Sequence, residues 1–289
     1  MVFEFCILFI MKTYYNYSDL KDFLEQQKIT SLGFVPTMGA LHPGHLSLLK
    51  ASFKNHSHTI CTIFVNPLQF DKKEDFESYP KNYEKDLSLL RAINCPICYL
   101  PDEKKIYPYG RELIEIELGP IASEMEGAFR PGHFLGVVSV IKRFFDLIKP
   151  DTIYLGEKDF QQILVIKKLI EKFSLPIKVT CIPTLREPNG LAMSSRNIRL
   201  DASQKKEATL IYRALKEAKN LFFQKIPIRE INYEIKEIFA KSPLDLEYFT
   251  IADERLLIKA EKIEPSKKYR AFIAAYLLGV RLIDNMAFY

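Results

Sequence analysis

The densest set of residues able to do chemistry lies in one stretch, VPTMGALHPGH, from Val35 to His45. An apolar run from Leu32 to Val35 meets a turn rich in proline and glycine. Two histidines three positions apart, His42 and His45, then lead into an apolar-periodic segment. This order predicts a strand, a turn and a helix N-terminus, where phosphate groups bind well. Because glycine lets the backbone approach a ligand and imidazoles can donate to phosphoryl oxygens, the stretch predicts nucleotidyl transfer.

The spacing of the two histidines has other interpretations. Three positions place both imidazoles on one face of the first helical turn, and Pro43 fits the first helical position, where no amide donor is needed. Such a pair could also bind one metal ion, but no cysteine or carboxylate nearby completes a site with familiar spacing. The surrounding turn chemistry favours phosphate binding over metal binding and over simple packing.

Two further clusters carry groups that bind phosphate. Gly156 to Asp159 (GEKD) directly follows the strand-like run Thr152–Leu155, and a lysine there can reach a polyphosphate as a point charge. Taken alone, such a charged helix start is more often a solvated cap. Ala192 to Asn197 (AMSSRN) offers two hydroxyls and a guanidinium, although a surface turn with a serine N-cap would have the same sequence.

Alternating elements must position these clusters. Between Ser31 and Thr184, strand-like runs are predicted at Leu32–Val35, Thr59–Val65, Ile97–Leu100, Thr152–Leu155 and Ile177–Ile182. Helical patterns between them cover Leu46–Phe53, Tyr83–Ala92, Phe134–Ile148 and Phe160–Phe173. This alternation predicts an α/β fold with a doubly wound parallel sheet and helices on both faces. Ligands in such sheets bind beyond the carboxyl ends of the strands, where the clusters fall.

The pattern changes after Thr184. Ser203–Phe223 predicts one long amphipathic helix and Arg229–Ala240 a second, and three strand-like runs follow at Leu246–Ile251, Tyr269–Tyr276 and Val280–Asn285. Helices followed by antiparallel strands predict a second, smaller α+β domain. The turn-forming loop REPNG, from Arg186, marks the boundary, which gives domains at residues 1–184 and 185–289.

Composition narrows the class of partner and the compartment. The net charge of +5 is spread along the chain without a block of lysine or arginine, so nucleic acid is not expected as a partner. The five cysteines are odd in number and lie mostly in apolar runs, which favours a reducing cytoplasm. Cys95 and Cys98 have C-x-x-C spacing, but without a second ligand pair we expect buried structural cysteines.

The first eleven residues, MVFEFCILFIM, need separate interpretation. The run is apolar but too short to cross a bilayer, which takes roughly 20 residues. It also lacks the basic start and small-residue end of a secretory signal. We interpret residues 1–11 as an extension with Met11 as the true initiator, although an extra strand or a membrane-touching tail is an alternative.

Five motifs together resemble one family. PTMGALHPGH, FVNPLQF, GAFRPGHFLGV, YLGEKDFQQ and GLAMSSRN occur in the order and approximate spacing found in pantoate–β-alanine ligases, also called pantothenate synthetases. The resemblance covers nearly the whole chain from Met11. It implies a Rossmann-like member of the nucleotidyltransferase superfamily, in which MSSRN takes the place of the KMSKS-like loop. It further implies that ATP and pantoate form a pantoyl adenylate, which β-alanine attacks to give pantothenate and AMP.

The resemblance also implies roles for individual residues. His45 would be the catalytic proton donor, His42 would act beside it, and Lys158 would neutralise the phosphates. Gln69 and Gln162 match the glutamines that hold pantoate. The ATP site would comprise Met38, Gly39, Ala40, Leu41, His42, Pro43, Gly44, His45, Gly156, Glu157, Lys158, Asp159, Leu185, Met193, Ser194, Ser195 and Arg196.

The resemblance extends to a metal, an assembly and a lid. The resemblance implies that Mg²⁺ is carried mainly on the phosphates, with Asp86 as a metal contact, and that the protein is a homodimer. The smaller domain would exclude water from the adenylate. Pro43 stands where the family commonly has glutamate, and Leu135 replaces a frequently polar position. Neither departure removes a reacting group.

Two other functions compete with the ligase. One is a plain adenylyltransferase that releases an adenylated product without forming an amide, against which Gln69, Gln162 and the downstream MSSRN region argue. The other is a nucleotide- or RNA-binding module that has lost turnover. The intact His42, His45 and Lys158 argue against that second alternative.

Overall fold

The computed structural model describes residues 11–27 and 29–289. The predicted extension, apart from Met11, lies outside the described residues, as does Cys6. The strands are β1 (Lys12–Tyr14), β2 (Leu32–Thr37), β3 (His58–Ile63), β4 (Ile97–Tyr99), β5 (Thr152–Gly156), β6 (Lys178–Ile182), β7 (Asp245–Asp253), β8 (Tyr269–Leu277) and β9 (Val280–Ala287). The α-helices are α1 (Tyr17–Gln26), α2 (Pro43–Phe53), α3 (Lys73–Glu77), α4 (Tyr83–Ala92), α5 (Glu103–Ile106), α6 (Glu126–Phe129), α7 (His133–Ile148), α8 (Phe160–Lys172), α9 (Ala202–Ala208), α10 (Leu210–Phe223) and α11 (Ile228–Ala240).

The larger sheet has six parallel strands in the order β1-β4-β3-β2-β5-β6. The chain builds outward from β2 in one direction and from β5 in the other, so the strand order reverses between these two neighbours. A reversal of this kind opens a crevice at the carboxyl ends of the strands. The predicted doubly wound parallel sheet is confirmed, and both the histidine turn and the GEKD turn lie at its crevice.

Burial follows the apolar pattern of the sequence. Phe34 of β2 and Ile153 of β5 are fully buried at the middle of the sheet, and α7 packs against it with apolar side chains on most of its circumference. Three residues from the C-terminal part, Ala252, Leu257 and Phe272, belong to the same apolar cluster. The two parts of the chain therefore share buried surface rather than meeting only through polar contacts.

The C-terminal part confirms the predicted smaller antiparallel unit. Strands β7, β8 and β9 pair in that order, and α10 and α11 cover them with buried leucine, isoleucine and phenylalanine side chains. The predicted single helix from Ser203 to Phe223 is wrong. It is two helices, α9 and α10, which meet at Thr209, where the Thr209 hydroxyl donates to the Lys206 carbonyl at 2.6 Å. A threonine that bonds the preceding turn competes with the helical ladder.

Several short elements escape the sequence pattern. The sheet has a sixth strand, β1, and the chain contains the helices α1, α3, α5 and α6, none of which the apolar periodicity predicts. The assignment of domains to residues 1–184 and 185–289 stays a prediction.

The cysteines of the C-x-x-C motif lie in the core. Cys61, Cys95 and Cys98 are buried free thiols, as expected, and burial raises the pKa of Cys95 to about 12. Among residues 11–27 and 29–289, no helix combines the length and apolar character that a bilayer span requires.

Candidate active site

One cavity of about 250 Å³ lies beyond the carboxyl ends of β2 and β5. The C-terminal sheet forms its opposite wall through residues of β7, β8 and β9. Most of the predicted site residues line it: Met38, His42, Gly44, His45, Gln69, Gly156, Lys158, Asp159, Gln162, Leu185, Met193, Ser194, Ser195 and Arg196. Gly39, Ala40, Leu41, Pro43 and Glu157 lie in the same turns but do not line the cavity.

The turn after β2 is set by its short residues. Gly39 and Ala40 both have positive φ, +80° and 47°, and the Gly39 amide donates to the Thr37 hydroxyl at 3.2 Å. A Cβ on Gly44 would lie 2.8 Å from Cε1 of the His42 ring, so a side chain there would displace that ring. The backbone therefore folds back tightly enough to bring both histidine rings together at the start of α2.

The two histidines cap the helix that carries them. The Gly44 amide donates to Nδ1 of His42 at 3.1 Å, and the His42 amide donates to Nδ1 of His45 at 3.3 Å. Two orphan amides of the helix N-terminus are thus satisfied by imidazole nitrogens, as Ser and Glu do in a capping box. Because each Nδ1 accepts a hydrogen bond, the proton of each neutral ring lies on Nε2, which remains a donor.

Both imidazoles are neutral near pH 7. Burial, with help from the charge of Lys158, lowers the pKa of His42 to about 4. Burial also holds the pKa of His45 well below its usual range, and His42 and Lys158 add to this shift. The ring centroids are 4.0 Å apart, so two imidazolium charges would repel each other strongly. The pair therefore offers two Nε2–H donors rather than two cations.

Asp86 binds the backbone of the histidine turn through its carboxylate. Its carboxylate accepts from the Ala40 amide at 2.9 Å and from the Leu41 amide at 2.7 Å, and the residue is buried. Among the described residues, no group of three His, Cys, Asp or Glu side chains is placed to hold a metal ion. Because both oxygens are used by the backbone, we propose a positioning role for Asp86 in place of the metal contact that the family resemblance implies.

Replacing Asp86 by asparagine is expected to loosen the turn. One carboxylate oxygen becomes an NH₂ group facing a backbone amide, which leaves a buried donor unpaired and costs about 1–3 kcal/mol of unfolding free energy. Urea unfolding measures this loss, and Asp146→Asn, a change on the exposed face of α7, serves as the control. A metal ligand would behave otherwise: the unfolding free energy would stay constant while the Mg²⁺ concentration for half-maximal rate rose.

The 3₁₀ turn after β3 presents Gln69. The Asn66 Nδ2 donates to Gln69 Oε1 at 3.1 Å and to the Gly136 carbonyl at 3.0 Å, while Tyr107 donates to Asn66 Oδ1 at 2.8 Å. With its oxygen occupied in this way, Gln69 has its Nε2 left to donate, and this nitrogen lies 3.1 Å from the Met38 sulfur. His133 also bonds the Gln69 carbonyl at 2.8 Å. The sequence patterns give no sign that Tyr107 supports this turn.

The MSSRN loop reaches back to the histidine turn. Ser195 donates from its hydroxyl to the Ala40 carbonyl at 3.0 Å, and Arg196 pairs with Asp75 of α3 at 2.8 Å. Ser194 caps the short helix Ser195–Arg199 by accepting from the Arg196 amide at 3.2 Å. The loop therefore covers one side of the cavity and places two hydroxyls and a guanidinium on its lining.

An ion pair joins helix α6 to the C-terminal sheet at the cavity wall. Glu126 of α6 accepts from Arg281 of β9 at 2.7 and 2.9 Å and from the Tyr248 hydroxyl at 2.8 Å. Arg281 also pairs with Glu247. Burial alone would raise the pKa of Glu126, but the hydrogen bonds and charge of Arg281 outweigh burial and lower that pKa to about 2.

Replacing Glu126 by glutamine is expected to destabilise the protein by about 1.5–3 kcal/mol at pH 7, because it removes the charge from a buried acceptor of two Arg281 hydrogen bonds and leaves Arg281 paired with Glu247. Since the folded pKa lies below the unfolded value, the stabilisation is present above about pH 4.5 and is lost as the pH falls toward 2. Urea unfolding of both proteins at several pH values should show the difference shrinking through that window. Glu103→Gln, in the exposed pair with Arg111, should cost less than about 1 kcal/mol, and an equal loss in the two variants would contradict the argument.

Known proteins resemble this chain along almost its full length. A family model described as pantoate-beta-alanine ligase matches residues 12–287. A pantothenate synthetase of Flavobacterium psychrophilum is 43% identical over 278 residues, which cover 96% of each chain. One from Christiangramia forsetii is 47% identical over 260 residues, covering 89% of this chain and 91% of the relative.

Solved structures resemble it equally well. The crystal structure of pantothenate synthetase from Thermus thermophilus matches with a TM-score of 0.89 and 35% identity, covering 96% of this chain and all of that one. The pantoate-beta-alanine ligase of Francisella tularensis, solved in complex with β-γ ATP and β-alanine, matches with a TM-score of 0.80 and 34% identity. That match covers 96% of this chain and 98% of the other.

Proposed function

This chain belongs to the pantoate–β-alanine ligase family, and we propose on that premise that it condenses pantoate with β-alanine at the expense of ATP. The pantoate carboxylate attacks the α-phosphorus of ATP to give pantoyl adenylate and pyrophosphate. The β-alanine amine then attacks the acyl carbon and releases AMP. One observation carries the proposal: a single cavity gathers the histidine pair, Lys158 and the MSSRN hydroxyls together with two glutamines.

We propose that the histidine pair, Lys158 and the MSSRN hydroxyls bind the nucleotide. Lys158, at the carboxyl end of β5, supplies a positive charge to the phosphates, and His42 and His45 donate from Nε2 to the oxygens of the α-phosphoryl group. Charge grows on those oxygens during attack, so donors fixed in advance by the helix cap stabilise the transition state more than the ground state. The neutral rings make His45 a hydrogen-bond donor rather than the source of a full proton.

We propose that two glutamines bind pantoate, the acid that is activated. Gln69 presents an amide donor whose oxygen is already held by Asn66, so a pantoate hydroxyl or carboxylate oxygen can take its free N–H. Gln162 lines the same cavity from the first turns of α8. We propose that these two amides orient pantoate so that its carboxylate faces the α-phosphorus.

The reaction also needs charge neutralisation by Mg²⁺ and exclusion of water from the adenylate. The described side chains offer Asp159 as a carboxylate on the cavity lining, while Asp86 is used by backbone amides. We therefore propose that Mg²⁺ binds mainly through ATP phosphates, where it supplies charge neutralisation, with Asp159 beside it. We further propose that residues 185–289 act as a lid, because the adenylate hydrolyses when water enters.

Assembly and compartment are separate proposals. We propose a homodimer that works in the cytoplasm. The family resemblance supports the dimer, and the buried free thiols suit a reducing compartment. Sedimentation at micromolar concentration distinguishes the dimer from a monomer.

The test is product release from ATP and pantoate, with and without β-alanine. The ligase releases pyrophosphate when pantoate is present and releases AMP together with an amide only when β-alanine is added. An enzyme that releases pyrophosphate but forms no amide would be a plain adenylyltransferase. A nucleotide-binding module would release neither product while still binding ATP in calorimetry.

A further inference from the structure

Asn285, near the end of β9, contacts the turn that carries Lys158. Its Nδ2 donates to the carbonyls of Glu157 and Lys158, both at 2.8 Å. Its Oδ1 accepts from the Arg270 guanidinium at 2.5 Å. The side chain is buried, so these bonds form away from bulk water. Asn285 therefore hydrogen-bonds the backbone of the phosphate-binding turn although it lies 127 positions from Lys158 in the sequence.

These bonds fix the orientation of the Asn285 amide and leave it no N–H to offer a ligand. A primary amide has two N–H donors, and both are used by the two carbonyls. Reversing the amide would place its oxygen against two carbonyl oxygens and its NH₂ against Arg270. Asn285 borders the cavity, but with its donors used it acts on the turn and not on a bound molecule.

Arg270, which donates to Asn285, is itself held by two further contacts. It pairs with Glu254 at 2.9 Å, and its guanidinium lies 3.9 Å from the centroid of the Phe160 ring. Phe160 begins α8, directly after the Lys158 turn. The C-terminal sheet therefore holds both the turn and the first residue of the helix that follows.

The turn has little to hold it locally. Glu157–Asp159 is a 3₁₀ helix of three residues whose N-cap, Gly156, has no side chain, and the Asp159 side chain makes no capping bond at the start of α8. Among the described residues, the Lys158 ammonium bonds only to the carboxylate of the half-exposed Asp159, at 2.9 Å. A turn without its own cap needs an outside contact to keep one geometry.

We propose that Asn285 is a positioning residue that fixes the backbone of this turn so that the Lys158 ammonium points at the phosphates. The proposal rests on the phosphate-binding role proposed above for Lys158. It also assigns the C-terminal sheet a part in adenylation beyond covering the cavity.

A double-mutant cycle tests it. Asn285→Ala is expected to lower the single-turnover rate of pantoate-dependent pyrophosphate release about tenfold or more, because small displacements of a positioned group are costly. In a Lys158→Ala background the same change should cost less than about twofold, because the group being positioned is gone. Losses that multiply in the double variant would overturn the proposal.

The same double-mutant cycle can be measured without turnover, by calorimetric titration of each variant with ATP alone. Both single changes should weaken ATP binding, and the double variant should bind no worse than Lys158→Ala. If the wild type binds ATP but releases no pyrophosphate, the proposed function fails while this cycle still decides the role of Asn285. A normal rate and normal ATP affinity in Asn285→Ala would leave the proposed function standing and remove the positioning role.

Lys219→Met is the matched control for destabilisation of β9. Lys219 reaches from α10 to the Ala287 carbonyl at 2.9 Å, so its loss weakens the same strand without touching the Lys158 turn. It should lower the melting temperature and leave the rate unchanged, and an equal rate loss would overturn the proposal. If Asn285→Ala does not fold, Asn285→Asp keeps an acceptor for Arg270 and removes both donors, and the same outcomes apply to it.

Discussion

Replacing Lys158 by alanine is expected to lower the rate of pantoate-dependent pyrophosphate release by about 10³-fold, the scale on which cationic clamps act in phosphoryl transfer. The ammonium is partly buried at the end of β5, with 17% of the side chain exposed, so water replaces it poorly. The unfolding free energy should change by less than about 1 kcal/mol, because the ion pair between Lys158 and Asp159 is half-exposed. The loss therefore falls on chemistry and not on folding.

Two variants make the result specific. Lys158→Arg keeps the charge but spreads it over a planar fork, so it should recover only part of the rate. Lys168→Ala, on the exposed face of α8 in a pair with Glu171, should leave the rate unchanged. Stopped-flow detection of pyrophosphate measures all three. Normal turnover in Lys158→Ala would contradict the phosphate role.

Lys158→Ala has a second expected effect on the histidines. The charge of Lys158 helps to lower the pKa of both His42 and His45. Removing it should raise both values, although burial, the larger cause, remains. Titration of the histidine ring protons by NMR, with Lys168→Ala as reference, measures the shift.

The local order of elements could be predicted from the sequence because it depends on local patterns. Apolar runs between turn formers gave the cores of β2, β3 and β5 and nearly the full span of α7. The three-residue strand β1 carries too little pattern to detect, since one strand of that length has no distinctive period. The break at Thr209 depends on one hydroxyl bond inside an otherwise continuous amphipathic pattern.

The site residues also divide into those that local sequence patterns predict and those that only the folded chain brings together. The residues that line the cavity from the ends of β2 and β5 could be selected from turn chemistry and motif order. The contacts of Asp86 could not be predicted, because the sequence does not distinguish a carboxylate that accepts from two backbone amides from one that binds a metal. Its partners lie 45 and 46 positions away, and only the folded chain identifies them.

The far wall of the cavity could not be predicted at all. Glu126 and Arg281 are 155 positions apart, and each alone is an ordinary charged residue on a short helix or a strand. Their meeting depends on how the C-terminal sheet sits over the parallel sheet, which no local period encodes. The role of Asn285 could not be predicted either, because it depends entirely on the two backbone carbonyls that its side chain contacts in the folded protein.

Replacing His45 by alanine is expected to lower the rate of adenylate formation by about 10²–10³-fold, as does removing one donor from an oxyanion site. Alanine also removes the acceptor for the His42 amide, which costs about 1 kcal/mol of helix capping. His45→Gln separates the two effects, because glutamine at this position can accept from the His42 amide and restore the cap. It should recover stability in urea unfolding but only part of the rate.

The pH dependence distinguishes a neutral donor from a cation at this site. Because burial lowers the pKa of His42 to about 4 and holds that of His45 well below its usual range, both rings are neutral from pH 6.5 to 8 in the free enzyme. The wild-type kcat/KM for ATP should therefore be flat across that range as far as these groups control it. An enzyme that needed an imidazolium would instead lose about tenfold in kcat/KM for each pH unit above the histidine pKa. A flat profile that coincides with a large loss in His45→Ala assigns catalysis to the neutral Nε2–H, whereas a falling profile would return His45 to the role of proton donor.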